Sequence, residues 1–372
     1  SDVCSSDLGK LRTSGYIPYL SVAVRPKRQK GVIIMYVNDL APHDDVLRIR
    51  CVGHASAERC KSDAFIITYN ENVWLIDGGM RGNYDSLCRM LELRQAWLGN
   101  RRHDVDNEKY KLRFTWLASH FHLDHVQETV VHILKSPYFE LDEAVIPPPT
   151  LLPAEYPMND DAYFRPMLEK VIEKYQSNAK ITAVTAGRGG YERRTAGGMT
   201  LDILPPECDW GTPENIGIMT ELYSDGVRDD KRASITVINS NCLWHVFGAA
   251  GRKVLFTGDT MKRFDDRSDE PYDRMAELWR DVIGEHVDVA KWVHHGIARD
   301  TAAAHMHALT PEYIIITSAE RETASGVFAE RYPHDGAEFV RIAQDDVTFR
   351  IHPDGNIEVI VGSDVYADFD KS

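Results

Sequence analysis

The chain lacks the long apolar run that a membrane span requires: nowhere in its 372 residues do roughly 18 consecutive apolar residues occur. It also lacks paired cysteines. Cys4, Cys51, Cys60, Cys88, Cys208 and Cys242 are widely scattered, with no CxxC. That excludes a small disulfide-stapled fold and points to a reducing, cytoplasmic setting. No signal-peptide pattern opens the chain, because Leu8 to Tyr19 carries charge, glycine and proline. The first eight residues, SDVCSSDL, look like translated adapter or vector sequence, and residues 1–20 are set aside as an atypical segment. Positive charge is in short supply: 43 Lys and Arg face 57 Asp and Glu, for a formal charge of −14. Such a surface does not attract phosphate backbones, so strong duplex binding is not expected. A bound dication with a local basic patch can still reverse the field at one site. Low-complexity linkers and internal repeats are absent too. The expectation is therefore one compact domain over 21–369, with insertions near 148–180 and 206–230.

What is present is ordinary globular material, 43% hydrophobic and 27% charged, enough for a large core. Apolar, β-branched runs predict strands at 22–24, 31–37, 46–52, 64–69, 73–76, 112–118, 144–146, 181–184, 199–204, 234–238, 242–247, 253–257, 287–293 and 313–317. A basic turn falls at 27–30, and a terminal hairpin pairs 347–351 with 357–361. Helical spacing predicts helices at 83–98, 125–134, 162–176, 274–283, 301–309 and 336–343. Hairpins and strand–helix units alternate in both halves. This pattern gives an α/β architecture of two sheets covered by helices rather than a single parallel sheet.

Three motifs carry chemistry. Ser119 to His125 reads S-H-F-H-L-D-H, immediately after an apolar strand. On an extended stub His120 and His122 point the same way, and a turn at Leu123 lets Asp124 and His125 project from a helix start. Imidazole with carboxylate suits zinc, iron or manganese. Leu255 to Thr260 reads L-F-T-G-D-T and places Asp259 at a strand end, where its carboxylate can bridge two ions. Val293 to Gly296 reads V-H-H-G and delivers His294 and His295 to a glycine turn. Adjacent strand residues point opposite ways, so one of the pair suffices as a ligand, and the other is a hydrogen-bond donor to a substrate anion or leaving oxygen.

These residues resemble the metallo-β-lactamase superfamily. The resemblance rests on Asp77-Gly78-Gly79 after a strand hairpin, on the HxHxDH run at His120, His122, Asp124 and His125, on Asp259 after a glycine, and on the late histidine pair. It implies a four-layered αββα sandwich and two divalent metals, zinc first and manganese second. Their ligands would come from His120, His122, Asp124, His125, Asp259, His294 and His295. The second half is similar to the metallo-hydrolase domain of competence proteins that take up DNA: Asn241-Cys242 leads to Asp259, Lys291 precedes His294-His295-Gly296, and Ile314 to Ser318 follows. That branch's serine is Cys242 here, its Tyr-x-His-Pro-like element is altered to Tyr332-Pro333-His334, and Ser119 stands where threonine is usual. A Gly-His-Thr-like loop that brings a third histidine in many members is missing; His132 falls inside a predicted helix and His245 inside a predicted strand.

The implied activity is hydrolysis by a metal-bound hydroxide, with Asp124, His294 and His295 as catalytic residues and no separate protein base. The substrate expected first is a phosphodiester, in a small molecule or a nucleic acid. Arg188, Arg193 and Arg194, in a basic glycine-rich loop at 187–198, are its candidate grip. A non-phosphate ester, lactone or amide is the alternative, and a non-catalytic metal-binding or interaction module is the third. The sequence assigns no oligomeric state.

Overall fold

The computed structural model describes residues 27–29, 32–36, 38, 43–53, 62–80, 110–152, 156, 158–210, 212, 215, 230–260, 270–296, 300–318, 330, 332, 336–342 and 346–362. The expected strand at 22–24, the helix at 83–98 and most of the insertion at 206–230 lie outside the described residues.

The first half builds one mixed sheet. Its strands are β1 (Lys27–Gln29), β2 (Val32–Tyr36), β3 (Leu47–Cys51), β4 (Ala64–Tyr69), β5 (Asn72–Asp77), β6 (Tyr110–Leu117), β7 (Phe139–Ile146) and β8 (Lys180–Ala183). The second half builds the other sheet from β9 (Glu192–Ala196), β10 (Met199–Leu204), β11 (Trp244–Ala249), β12 (Arg252–Phe256), β13 (Val289–Lys291), β14 (Tyr313–Ile316) and β15 (Glu338–Arg341). The terminal hairpin, β16 (Val347–Ile351) and β17 (Ile357–Val361), returns to the first sheet and pairs with β3. The sheets have ten and seven strands among the described residues.

Alternation within the strands decides where the core sits. In β3, Leu47, Ile49 and Cys51 face the same inter-sheet cluster as Leu201 and Ile203 of β10 and Phe247 of β11. The opposite faces of the two sheets are covered by helices. In the first half α1 (Leu123–Val131) and α2 (Asp160–Tyr175) bury Val126, Val130, Phe164 and Leu168 against the sheet. In the second half come α3 (Asp230–Ser240), α4 (Glu270–Leu278), α5 (Arg280–Ile283) and α6 (Asp300–Leu309). Tyr272, Met275, Ile283, Ala302, Ala303 and Met306 of α4, α5 and α6 pack on the outer face of the second sheet. The result is an α/β sandwich of two mixed sheets with helices outside, the layered architecture that the sequence resemblance implies. No helix among the described residues is long and apolar enough to cross a membrane.

The basic turn expected at 27–30 is strand β1, antiparallel to β2, and two further expected elements change type. The run at 234–238 is helix α3, not a strand. Ser234 to Ser240 are all buried, so this stretch has no exposed face, and its β-branched residues imitate a buried strand. The segment expected as a helix at 336–343 is the edge strand β15, paired in parallel with β14. Sheet completion overrides weak helical spacing there. Trp279 also splits the expected helix at 274–283 into α4 and α5.

Candidate metal centre

The two halves meet at the C-terminal ends of β6 and β12. At the end of β6 the backbone N–H of Ser119 donates to Asp77 Oδ1 (2.6 Å), and its hydroxyl donates to Asp77 Oδ2 (2.8 Å). Leu243 N–H donates to Ser119 O (2.9 Å), stitching this strand end to β11. His122 is extended and caps α1, so Asp124 and His125 fall in the first helical turn. His120 Nε2 and His122 Nδ1 are then 3.0 Å apart. Across the cleft Gly258 (φ 54°) turns the chain after β12. A Cβ there would lie 3.0 Å from Cys242 Sγ and 3.2 Å from Ser119 Cβ, so glycine is needed for both the conformation and the space. This turn aims Asp259 at the histidines, and Asp259 N–H donates to Cys242 Sγ (3.3 Å).

The ligand atoms converge on Asp259 Oδ2. His125 Nε2 and His295 Nε2 are each 3.2 Å from it, His294 Nε2 is 3.7 Å away and His120 Nε2 3.9 Å. Asp124 closes the ring, with Oδ2 3.2 Å from His295 Nε2 and Oδ1 4.0 Å from His125 Nε2. His294 and His295 do not alternate as strand residues would. Both have left-handed backbones (φ 50° and 58°), and that turn points both imidazoles at Asp259. The strand argument for a single ligand in this pair therefore does not apply.

Four residues that bring this arrangement about were not singled out as site residues in the sequence: Asp63, Asp77, Lys291 and Thr317. Asp63, His125, Asp259 and His295 form a buried cluster of candidate ligand atoms within 4.8 Å of one another. Within it, Asp63 sits on the Nδ1 side of the rings, opposite Asp259. Its Oδ1 is 3.0 Å from His295 Nδ1 and also accepts from Thr317 Oγ1 (2.5 Å), and its Oδ2 pairs with Lys291 Nζ (2.5 Å). Asp77 Oδ2 does the same work for His125 Nδ1 (2.8 Å). Carboxylates behind the imidazoles fix the tautomer and leave each Nε2 for an ion. Lys291 is fully buried; its ammonium donates to Gly258 O (2.8 Å) and Asp259 Oδ1 (3.3 Å), so only Oδ2 of Asp259 faces the histidines.

Electrostatics follow from this packing. Burial works against charge on His125, yet the facing carboxylates of Asp259 and Asp77 overcome it and push its pKa up to about 10. Burial also opposes charge on Asp63, but the Lys291 ammonium and His295 hold it below the usual carboxylate range. His294, more desolvated than compensated, is pushed down to about 3 and is a neutral imidazole. Three buried carboxylates, Asp63, Asp77 and Asp259, and the partly exposed Asp124 surround one buried ammonium, and protons on His125 and His295 offset part of that negative charge until a cation takes their place. His125 Nε2 and His295 Nε2 are buried without a hydrogen-bond partner and face carboxylate oxygens. Unpartnered imidazole nitrogens and converging carboxylates together fit divalent cations of the zinc or manganese type.

The other histidines and the arginines lie elsewhere. His132 Nδ1 is paired with Glu128 (2.6 Å). His245 is fully buried on β11 between Ile203 and Phe256, with neither ring nitrogen hydrogen-bonded. Arg188 is bidentate to Asp281 (2.7 and 2.8 Å), Arg193 to Asp202 (2.6 and 3.0 Å), and Arg194 is held by Glu143 (2.8 Å) and Glu192 (2.9 Å). The loop expected at 187–198 is instead a short helical turn followed by strand β9.

No family model and no curated protein sequence matches the chain. Among solved structures it is similar to the metallo-β-lactamase fold protein YhfI from Bacillus subtilis, at 12% identity and a TM-score of 0.43 over 86% of this chain and 100% of that one. It is also similar to zinc-bound PqqB from Methylobacterium extorquens (8%, TM-score 0.42, 81% and 99%) and to a diphosphatase of the PhnP family (12%, 0.40, 80% and 96%).

Proposed function

We propose that the chain is a metal-dependent hydrolase acting on an ester-type bond, with a phosphodiester as the first substrate class. The observation that carries this is the convergence of four imidazole nitrogens within 3.9 Å of one oxygen, Asp259 Oδ2. Asp124, His125, Asp259 and His295 would hold one ion. His120, His122, Asp259 and His294 would hold the second, with His294 taking the place of the third histidine missing from the middle of the sequence. Bound there, such ions supply Lewis acidity and lower the pKa of water toward neutrality. The protein's part is positional. Lys291 restricts Asp259 to one oxygen, Asp63 and Asp77 lock two rings, and Asp124 lies at the open side, where a substrate arrives. Zinc is the first metal and manganese the second.

The two-ion arrangement favours a phosphodiester, because paired cations can clamp the attacking and leaving oxygens of an in-line displacement. The sequence resemblance to the competence-protein domain supports the same class. A carboxylic ester, lactone or amide is favoured by a different observation: Arg188, Arg193 and Arg194 are all engaged by acidic side chains rather than held ready for phosphate. Free Cys51, Cys208 and Cys242 support a cytoplasmic setting. The test is elemental analysis of the purified protein, followed by hydrolysis of bis-p-nitrophenyl phosphate and p-nitrophenyl butyrate with added Zn or Mn. Two ions per chain and turnover lost in His122→Ala are expected. A protein that binds no ion under these conditions would overturn the reading.

A further inference from the structure

We infer that the mouth of the centre carries a subsite for an apolar alkyl or aryl group of the substrate, formed by Leu123, Leu151, Met158 and Tyr163. The inference rests on the hydrolase reading above and adds a substrate feature to it. Seven large apolar side chains are exposed among the described residues, and these four are exposed by 37, 56, 49 and 61%. Four of the seven fall in segments pinned together beside the candidate ligands. Leu123 lies between His122 and Asp124, and its N–H donates to Asp160 Oδ2 (3.0 Å), which draws the start of α2 onto the ligand run. Met158 precedes Asp160 by two residues. Tyr163 follows it by three, on the same helical face. Thr150 N–H donates to Asp161 Oδ2 (2.8 Å) and Asn159 Nδ2 donates to Leu152 O (3.3 Å), laying Leu151 alongside.

The centre opens on this side. The Asp124 side chain is 31% exposed, whereas those of His120, His125, Asp259 and His295 are at most 2% exposed. Leu123 is the exposed chain neighbour of Asp124 at this opening. Charge at this rim disfavours a polyanion. Burial and the nearby Asp124 carboxylate push Asp160 up to about 6, so it is largely ionised at neutral pH. Arg165, on the same helix, is engaged by Asp161 and by the carbonyls of Pro147 and Pro148. An apolar group next to the scissile bond matches this rim; a long phosphate backbone does not.

The test uses the full chain loaded with Zn and two probes of identical metal-binding chemistry, acetohydroxamic and octanohydroxamic acid, compared by calorimetric titration. Partial burial of six extra methylenes predicts binding of the longer probe at least about 10-fold tighter. In the Leu151→Ser/Met158→Ser double variant that ratio should fall to about 3-fold or less. Val361→Ser, an equally exposed apolar residue on β17, should leave the ratio as it is in the parent chain. Equal affinities for the two probes, or a ratio unchanged in the double variant, would overturn the subsite while leaving the hydrolase reading standing. Failure of both hydroxamates to bind protein that carries Zn by elemental analysis would instead remove the reading of the centre as open to substrate, and the subsite with it; a chain that takes up no Zn would remove the metal reading.

Discussion

The two sides of the candidate centre are built to different standards. Around Asp124, His125 and His295, each imidazole is backed by a buried carboxylate: Asp77 at 2.8 Å behind His125 and Asp63 at 3.0 Å behind His295. Around His120 and His294 the backing is lighter. His120 Nδ1 meets the Ser119 hydroxyl at 3.0 Å, and His294 Nδ1 is buried with no hydrogen-bond partner. A carboxylate behind an imidazole raises its basicity and fixes its orientation, whereas a hydroxyl does so weakly. One ion should accordingly be held tightly and the other exchangeably.

The largest break in this comparison comes from removing what both sides share. Asp259→Asn should abolish stable loading of both ions and lower kcat/KM by about 10³-fold or more, measured by elemental analysis beside turnover. Next is Lys291→Met. It removes the ammonium that buried Asp63 and Asp259 share and should cost about 3–5 kcal/mol in the metal-free protein, read by chemical denaturation. Saturating Zn should recover part of that loss, because the dication supplies replacement charge. Asp63→Asn should sharpen the comparison. It should weaken the tighter ion about 10- to 100-fold and leave the weaker one nearly unchanged, so that the two affinities approach each other in a chelator competition.

The smallest effect concerns Asp160. Its pKa in the folded chain is about 6, against 3.8 for a free aspartate. Because the folded value is raised, its contribution to stability is full below about pH 3.8 and is lost as pH rises through 6. Asp160→Asn keeps the acceptor for Leu123 N–H but cannot ionise. The variant should therefore gain about 2 kcal/mol on the parent between pH 4 and pH 7 in metal-free protein. Ion binding at Asp124 should shrink that gain, and denaturation curves at the two pH values decide the point.

Much of the centre was legible because its ligands cluster. Four candidate ligands within six residues after a strand, Asp259 at another strand end, and a histidine pair before a glycine each announce a metal site through composition and spacing. Asp63 announces nothing alone, since one acidic residue before a strand is common. Hairpin register was the available signal: Ala64 pairs with Asp77, which puts Asp63 beside Gly78 at the same sheet end as His120. Lys291 was visible only as part of a family resemblance, because nothing local shows that a lysine on a buried strand meets carboxylates 32 and 228 residues away. The arginines mislead for a related reason. Arg194 and Arg188 find Glu143 and Asp281 at separations of 51 and 93 residues. Arg193 with Asp202 could have been read, since they are direct partners in the β9–β10 hairpin. Helix α3 reads as a strand in the sequence because burial of its residues 234–240 erases the periodicity that separates helix from strand.

The central claim is that Nε2 atoms and carboxylates from both halves share ions at Asp259, with Asp63 behind the rings. Anomalous diffraction at the zinc edge from crystals of the zinc-loaded protein tests it directly. Two peaks flanking Asp259 Oδ2 are expected, one among Asp124, His125 and His295 and the other among His120, His122 and His294. A single peak on the Nδ1 side of the rings with Asp63 as a ligand, or no peak in the cleft, would contradict it.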